Sequence, residues 1–513
     1  MATFNKGSRT GNSLKISIVG VFTNLIRIIL GFGYRTIFIF LLSEVYLGIH
    51  GLFTSILQVL SLAELGITTA IVYRFYEPIS REDVHYVGML MNYFGKVYRT
   101  IALTILTIGL LLVPFLPFLI NSSEQLPSDV NIYIVYILFL LNSVSSYIFA
   151  YKMTILTADQ KNYITSVIDL IIYATKYLTQ ILTLCITKDY TLTLAAGIVA
   201  TLIVNYAGSR WTEKQYANVF AVKEMLPKED RNIIFSDTKA CMCHKVGDTV
   251  LNSTDNILLT KMVSLAMTGL YSNYSMLLSY TQQFVNQILG SFTASVGNAI
   301  QTMHDEEYYK LYKKITFFGF WMAGIVAVGI YVVIDDFVKF WIGEKYVLNG
   351  VTTFIICLQL YISLAQKTTT AFINAAGLFV KDKVRPLIEA TLNVVISVVL
   401  THYIGIAGVF LGTIISVMLT VGWRNPYLLY KFCLKKPFCE YWKMYLKFFL
   451  ISMSFCIISS IVKKRIVIAN LIGIFAEGIL AEIVINLLFL ALFCKSDEFK
   501  GLKAMCQKLI KRA

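Results

Sequence analysis

Long stretches of apolar residues recur along the whole chain, and short polar segments separate them. A bilayer core about 30 Å thick is crossed by about 20 apolar residues in a helix. The pattern therefore predicts an all-α polytopic membrane protein with about 14 transmembrane helices. The fourteen predicted spans are 16–42, 45–72, 87–119, 131–157, 162–187, 190–209, 233–261, 266–300, 315–334, 350–378, 385–402, 404–425, 442–462 and 466–494.

The lengths of these spans carry further information. Several exceed 25 residues, so we expect them to tilt, to kink or to extend past the bilayer surface. The third contains Pro114 and Pro117, which predict a bend near its outer end. The first is too long for the core of a signal peptide and precedes no small-residue cleavage site, so we predict a retained helix.

The composition supports this class of protein and excludes others. Of the 513 residues, 57% are hydrophobic and only 15% are charged, whereas a soluble domain is about one-quarter charged. A water-soluble enzyme and a disordered chain are therefore excluded. The 9 cysteines are scattered, mostly inside apolar runs, which argues against a secreted disulfide scaffold.

Positive charges are distributed unevenly between the two sides of the predicted membrane. With the N-terminus placed inside, 30 of the 45 Lys and Arg residues fall in inner segments and 6 in outer ones. Because short cytoplasmic loops are enriched in Lys and Arg, we predict that both termini are cytoplasmic. Lys463, Lys464 and Arg465 are exceptions in an outer loop. The net charge of +15 thus reflects topology, and a basic inner face attracts anionic lipid rather than nucleic acid.

The spans divide into two sets of six, followed by two more. Blocks 51–71 and 269–284 both belong to a long second helix that precedes an aromatic, basic inner segment. This similarity predicts a parallel repeat about an axis along the membrane normal, although chance likeness between hydrophobic helices is the alternative. The predicted domains are an N-lobe (1–209), a cytoplasmic linker (210–232), a C-lobe (233–430), helices 13 and 14 (431–494) and a basic cytoplasmic tail (495–513).

Polar residues recur at helical spacing inside four of the spans. Polar stripes facing lipid would be costly, because one charged group at mid-bilayer costs about 2.5–3.5 kcal/mol. We therefore predict that the four stripes line one water-filled cavity between the halves, with polar contacts that merely join helices as the alternative. The stripes are Asn24, Arg27, Gly31 and Arg35 in the first span; His50, Thr54, Gln58 and Ser61 in the second; Asp237, Cys241, His244, Asp248, Asn252 and Asp255 in the seventh; and Ser275, Ser279, Gln282 and Asn286 in the eighth.

The predicted cavity combines cations with hydrogen-bonding groups, which favours a polar, anionic cargo. A guanidinium can hold phosphate oxygens bidentately, whereas Lys acts as a point charge. Amide and hydroxyl groups suit the hydroxyls of sugars. The predicted substrate-binding residues are Arg27, Arg35, Lys239, Lys245, Gln58, Asn252, Gln282 and Asn286. The predicted charge partners, or sites of a coupling proton or sodium ion, are Asp237, His244, Asp248, Asp255 and Glu64.

We predict no cofactor, no metal and no enzymatic activity. Cys241, Cys243 and His244 cannot converge on one ion from a single helix. The chain has no G-x-x-x-x-G-K-[ST] phosphate loop and no H-E-x-x-H zinc motif. Its predicted loops are too short for a soluble catalytic domain.

Several sequence segments resemble the polysaccharide transporter family, which contains the flippases of O-antigen and capsule repeat units. The resemblance covers about 15–430 and is most specific between 240 and 300. The segments that carry it are HKVGDTVLNSTDNILLTKMV (244–263), GLYSNYSMLL (269–278), FTASVGNAI (292–300), LAELGITTAIVY (62–73), FWIGEKYVL (340–348), AAGLFVKDKVRPLIEATLN (375–393) and GIAGVFLGTIISV (405–417).

This resemblance implies two six-helix lobes around a cationic cavity lined by helices 1, 2, 7 and 8. It implies a cargo of undecaprenyl-pyrophosphate-linked oligosaccharide and alternating access without ATP. The related lipid II flippase adds two helices that form a groove for the lipid tail. The present chain has two further spans, but no motif aligns them with that groove.

We therefore predict a flippase of the bacterial plasma membrane. Its expected partners are a polyprenyl-pyrophosphate-linked oligosaccharide, membrane lipid and enzymes of polysaccharide assembly. The first alternative is a multidrug or cation extruder of the multidrug/oligosaccharidyl-lipid/polysaccharide superfamily, to which the polysaccharide transporter family also belongs. The second is a membrane-embedded polysaccharide polymerase or ligase, an enzyme class that usually needs a large outer loop.

Overall fold

The computed structural model describes residues 9–64, 67–120, 126–378, 382, 384–463 and 470–510. Every regular element in these ranges is a helix, so the predicted fold class is confirmed. The chain forms two compact units, Met1–Gly269 and Leu270–Ala513. The boundary between the units lies inside one long helix, and the predicted lobe boundaries stay a prediction.

The first unit combines contacts between helices that follow one another with contacts between helices far apart in the chain. Short 3-10 turns at Ser61–Glu64, Val113–Phe115 and Tyr151–Met153 interrupt three of the predicted spans. The helices are α1 (Arg9–Leu41), α2 (Glu44–Leu60), α3 (Ile67–Ser80), α4 (Val84–Leu112), α5 (Leu116–Leu119), α6 (Ile132–Ala150), α7 (Thr154–Ala158), α8 (Asn162–Thr187), α9 (Tyr190–Gln215), α10 (Ala217–Phe220) and α11 (Lys228–Met262).

The second unit begins within the helix that follows α11. A π-helical turn at Tyr430–Leu434 lies beyond residue 425, where the predicted twelfth span ends. The helices are α12 (Leu265–Thr302), α13 (Asp305–Ile342), α14 (Gly350–Ala375), α15 (Arg385–Ile404), α16 (Ile406–Leu419), α17 (Val421–Leu429), α18 (Cys439–Lys463), α19 (Leu471–Phe493) and α20 (Asp497–Ile510).

Each of the fourteen predicted spans coincides with one or more of these helices. In the described residues, ten helical segments are long and apolar enough to cross a membrane. The predicted spans 45–72, 233–261, 266–300 and 350–378 are not among the ten. The first of these is broken after Leu60, and the other three carry more polar residues. The polar character of α11 and α12 agrees with the stripes that the sequence places there.

Local chemistry explains where several helices begin and end. The side chains of Asp83, Asn131 and Asp189 accept hydrogen bonds from free backbone N–H groups at the starts of α4, α6 and α9. The regular part of α4 ends at Leu112, just before Pro114, because proline cannot donate to the helical ladder. The helix is therefore interrupted near the outer end of the third span, where the sequence predicts a bend, and the bend itself stays a prediction.

Glycines on α13 let helices α18 and α19 pack closely against α13. A Cβ at Gly324 would lie 2.6 Å from Oγ of Ser452 on α18, and a Cβ at Gly329 would overlap the carboxyl of Glu482 on α19. The rings of Phe448 and Phe493 stack beside them, with centroids 4.5 Å apart. Such close packing of small residues is the usual basis of association between apolar helices.

Candidate functional site

Arg27 and Asp169 form an ion pair where α1 packs against α8 in the first unit. Nη2 of Arg27 lies 3.6 Å from Oδ2 of Asp169, and the side chains are 29% and 49% exposed. The guanidinium also lies 5.9 Å from the ring centroid of Tyr173. Within the described residues, Nε of Arg27 is buried and has no hydrogen-bond partner. Arg27 thus keeps hydrogen-bonding capacity that its contacts do not use.

The α8 side of this contact is a polar, aromatic stripe. Asp169, Tyr173, Tyr177 and Gln180 follow one another at intervals of 4, 4 and 3 residues and lie on one helix face. The hydroxyl of Tyr177 donates to that of Tyr173 at 3.0 Å. The site predicted from the sequence does not include Asp169 or Tyr173, although their helical spacing is visible in the sequence. Asp169 and Tyr173 are therefore site residues that the prediction missed.

A second polar contact joins α2 to α11, also within the first unit. Oγ of Ser253 donates to Oε1 of Gln58 at 3.2 Å. Nδ2 of Asn256 donates to Oγ of Ser55 at 3.0 Å. Asp255 lies between these two donors in sequence and is buried. The predicted stripes on α2 and α11 thus meet, although through the neighbours Ser55, Ser253 and Asn256 more than through the predicted residues themselves.

The remaining predicted residues are only partly described. Arg35 lies two turns beyond Arg27 on α1 and is half-buried. In the second unit, Gln282 is half-buried and Asn286 is exposed on α12. The side chains of several predicted residues lie outside the part of the chain that the structure describes, so the convergence of all four stripes on one cavity stays a prediction. They are Lys239, Lys245, Asn252, Asp237, His244, Asp248 and Glu64.

A charged cluster at the start of α15 in the second unit has more complete hydrogen bonding than the contact between Arg27 and Asp169. Nε of Arg385 and Nε of Arg424 donate to the two carboxylate oxygens of Asp382, at 2.5 and 2.6 Å. Arg385 also pairs with Glu389. Asp382 is 2% exposed. This cluster ties the segment before α15 to α17 and leaves both oxygens of the central carboxylate in use, which indicates a structural role.

The first unit has a comparable cluster before α8. The hydroxyl of Tyr216 donates to Oδ2 of Asp159 at 2.6 Å, and Nζ of Lys161 lies 2.7 Å from the same oxygen. Burial raises the pKa of the Tyr216 hydroxyl, and its hydrogen bond to Asp159 raises that pKa further. Tyr216 therefore stays protonated and acts as a donor that holds the α7–α8 connection to the end of α9.

Comparisons with known proteins show the fold. No family model and no curated protein matches the sequence. The structure of the lipid II flippase MurJ in an inward closed conformation matches with a TM-score of 0.63 at 15% identity, over 94% of this chain and 99% of that one. A mutant of the MATE transporter VcmN from Vibrio cholerae matches with a TM-score of 0.57 at 14% identity, over 84% and 99% of the two chains. An inward-facing multidrug resistance MATE family transporter of the MOP superfamily matches with a TM-score of 0.59 at 13% identity, over 78% and 94%.

These structures belong to polytopic membrane transporters and flippases. The chain therefore shares its fold, that of a multi-pass membrane protein, with these structures. The resemblance to the polysaccharide transporter family and the orientation of the termini stay predictions.

Proposed function

We propose that this protein is a flippase that carries polyprenyl-pyrophosphate-linked oligosaccharides across the bacterial plasma membrane by alternating access. The cargo's sugar-pyrophosphate head passes through a polar cavity, while its prenyl chain stays in lipid. A fold shared with the lipid II flippase supports a lipid-linked cargo. Rocking of one helical bundle against the other would expose the head first inside and then outside.

The observation that carries the proposal is the incomplete bonding of Arg27. Its contact with Asp169 is long, at 3.6 Å, and its buried Nε has no hydrogen-bond partner among the described residues. A pyrophosphate offers oxygens that fit the guanidinium fork. Arg27 would bind the head, and Asp169 would hold the guanidinium in place until the head arrives. Arg35 and Gln58 would extend the site toward the sugar.

A multidrug extruder is the rival that the MATE structures support. Such a protein would bind cations and would gain little from an arginine with unused donors. The charge of Arg27 therefore favours the anionic cargo. The two functions make opposite predictions for the Arg27→Gln variant.

The test is transport by purified protein in proteoliposomes. The substrates are a labelled undecaprenyl-pyrophosphate-linked oligosaccharide and, separately, ethidium. We expect the wild type to move the lipid-linked sugar, and Arg27→Gln to slow this at least 10-fold. The matched control is Arg81→Gln, because the side chain of Arg81 is exposed and pairs with Glu77, four residues earlier in the chain. This control should transport normally.

Two results would reject the proposal. One is movement of ethidium but not of the lipid-linked sugar by the wild type, which would establish the extruder. The other is full sugar-lipid transport by Arg27→Gln, which would remove Arg27 from the site.

A further inference from the structure

An open pocket of about 620 Å³ lies in the second unit between α12, α13 and α19. This volume is in the range of small-molecule sites. The walls are mostly aliphatic, with Val326, Ile330 and Ile479 among the lining residues, and the ring of Phe475 lies on the same face of α19 as Glu482, two turns away. Two of its three helices, α13 and α19, are long and apolar enough to cross a membrane, so a ligand can enter it from the lipid.

One charged group lies in this pocket. Glu482 is the one charged residue among those that line it, and it occupies the middle of the 23-residue helix α19. Its carboxyl packs over Gly329, where any larger residue would displace it. Across the described residues, this carboxyl has no hydrogen-bond or ion-pair partner.

The neighbouring polar groups are engaged elsewhere. The amide of Asn486 accepts from Nε1 of Trp321 at 3.0 Å and donates to the backbone oxygen of Glu482 at 2.8 Å. Thr281 on α12 donates to its own helix, to the oxygen of Leu277. Neither group supplies the positive charge that would offset an ionised carboxyl at this depth.

We propose that this pocket binds lipophilic organic cations, amphiphiles whose apolar body carries a positive charge. The aliphatic walls would bury the body, and the carboxylate of Glu482 would pair with the charge where the low dielectric strengthens the attraction. The ring face of Phe475 would add a cation–π contact. A neutral hydrocarbon chain would leave the carboxylate unpaired, and an anion would be repelled. The site is thus opposite in charge preference to the one around Arg27.

Equilibrium binding of radiolabelled tetraphenylphosphonium to the full-length protein in nanodiscs tests the proposal. We expect saturable binding to the wild type and at least 10-fold weaker binding to Glu482→Gln. The matched control is Glu344→Gln, which removes an exposed carboxyl paired with Lys339 outside the pocket and should bind normally. Ile479→Trp, which narrows the pocket and keeps the carboxyl, should also weaken binding.

A melting temperature for each variant separates lost binding from lost folding, and Ile479→Trp provides an independent test should Glu482→Gln misfold. Arg27→Gln should bind tetraphenylphosphonium as the wild type does, so the outcome does not depend on the proposed transport function. Absence of binding to the wild type would overturn the proposal, as would equal binding by Glu482→Gln and by Ile479→Trp. Equal competition by tetraphenylborate, an anion of the same shape, would also overturn it.

Discussion

Two arginine–carboxylate contacts, one in each unit, use similar residues in different ways. In the second unit, Asp382 receives short hydrogen bonds from Arg385 and Arg424 and is almost completely buried. In the first unit, Arg27 and Asp169 make one long contact, and both side chains stay partly exposed. The same chemical groups therefore form a closed cluster in one place and an open contact in the other.

The difference separates structure from function. A buried charge is tolerated only when partners satisfy it, and removal of one partner is then costly. A partly exposed pair contributes little to stability, so the presence of one between two apolar helices needs another explanation. We infer that the closed cluster stabilises the fold and that the open contact is available to a ligand.

Asp382→Ala should have the largest effect on stability. It leaves the two guanidinium groups without their shared carboxylate, so we expect the free energy of unfolding to fall by about 3–5 kcal/mol. Unfolding by SDS in mixed micelles measures the change. The control is Asp305→Ala, whose ion pair with Lys435 is about two-thirds exposed and which should leave the unfolding curve unchanged. A normal curve for Asp382→Ala would show that the cluster is not structural.

Tyr216→Phe should have the next largest effect. It removes the buried hydroxyl that donates to Asp159, and we expect a loss of about 1–3 kcal/mol because the carboxylate loses a partner. Lys161 still pairs with Asp159, so the loss should be smaller than for Asp382→Ala. Tyr206→Phe, at an exposed tyrosine on α9, is the matched control. If Tyr216→Phe and Tyr206→Phe have the same free energy of unfolding, the cluster around Asp159 does not stabilise the fold as the cluster around Asp382 does.

The pair of Lys313 and Glu498, which holds α20 to α13, is intermediate between the two cases. Nζ of Lys313 lies 2.9 Å from Oε1 of Glu498. Burial raises the pKa of Glu498, but the hydrogen bond and the charge of Lys313 outweigh it, so the net pKa is lowered. Because the pKa of Glu498 is lower in the folded protein than in the unfolded chain, its ionised form stabilises the folded protein at pH values above the ordinary glutamate pKa of about 4.3. This stabilisation is lost as the pH falls through the lowered pKa.

We therefore expect α20 to lose hydrogen-exchange protection below about pH 4, after correction for the intrinsic exchange rate. Glu498→Gln should show reduced protection already at pH 7 and a weaker response to acid. Full protection of α20 in this variant would show that contacts such as the one between Trp321 and Phe499 suffice to hold the helix.

Arg27→Gln should have the smallest effect on stability, within about 1 kcal/mol of the wild type. The reason is that the contact it removes is long and partly exposed. The same SDS titration measures this, alongside the transport assay, in which the variant should fail. A loss of stability as large as that of Asp382→Ala would make Arg27 a structural residue and would remove the distinction between the two contacts.

Much of the fold was predictable because the thickness of a bilayer sets the length of the apolar segments that cross it. Each of the fourteen apolar runs coincides with helix, and proline positions account for the interruption after Leu112. Residue spacing also placed Gln58 on the face of α2 that meets α11. Spacing of this kind identifies a face of one helix, because side-chain direction repeats with the helical period.

The partners of these faces were not predictable from spacing. Helical spacing predicts that the stripe of α1 faces α2 and two later helices, whereas Arg27 contacts Asp169 on α8. Glu482 was visible as an intramembrane charge, but its position over Gly329, in a pocket where no other lining residue is charged, depends on how α19 packs on α13.

The sequence by itself determined that the chain crosses a membrane many times as helices and that charges remain inside those helices. Hydrophobic length and helical period are properties of single segments, so they can be read from the residues in order. Only the tertiary structure decided which charges are satisfied, as at Asp382, and which keep unused bonding capacity, as at Arg27 and Glu482. That distinction depends on contacts between helices far apart in the chain, which no local pattern specifies.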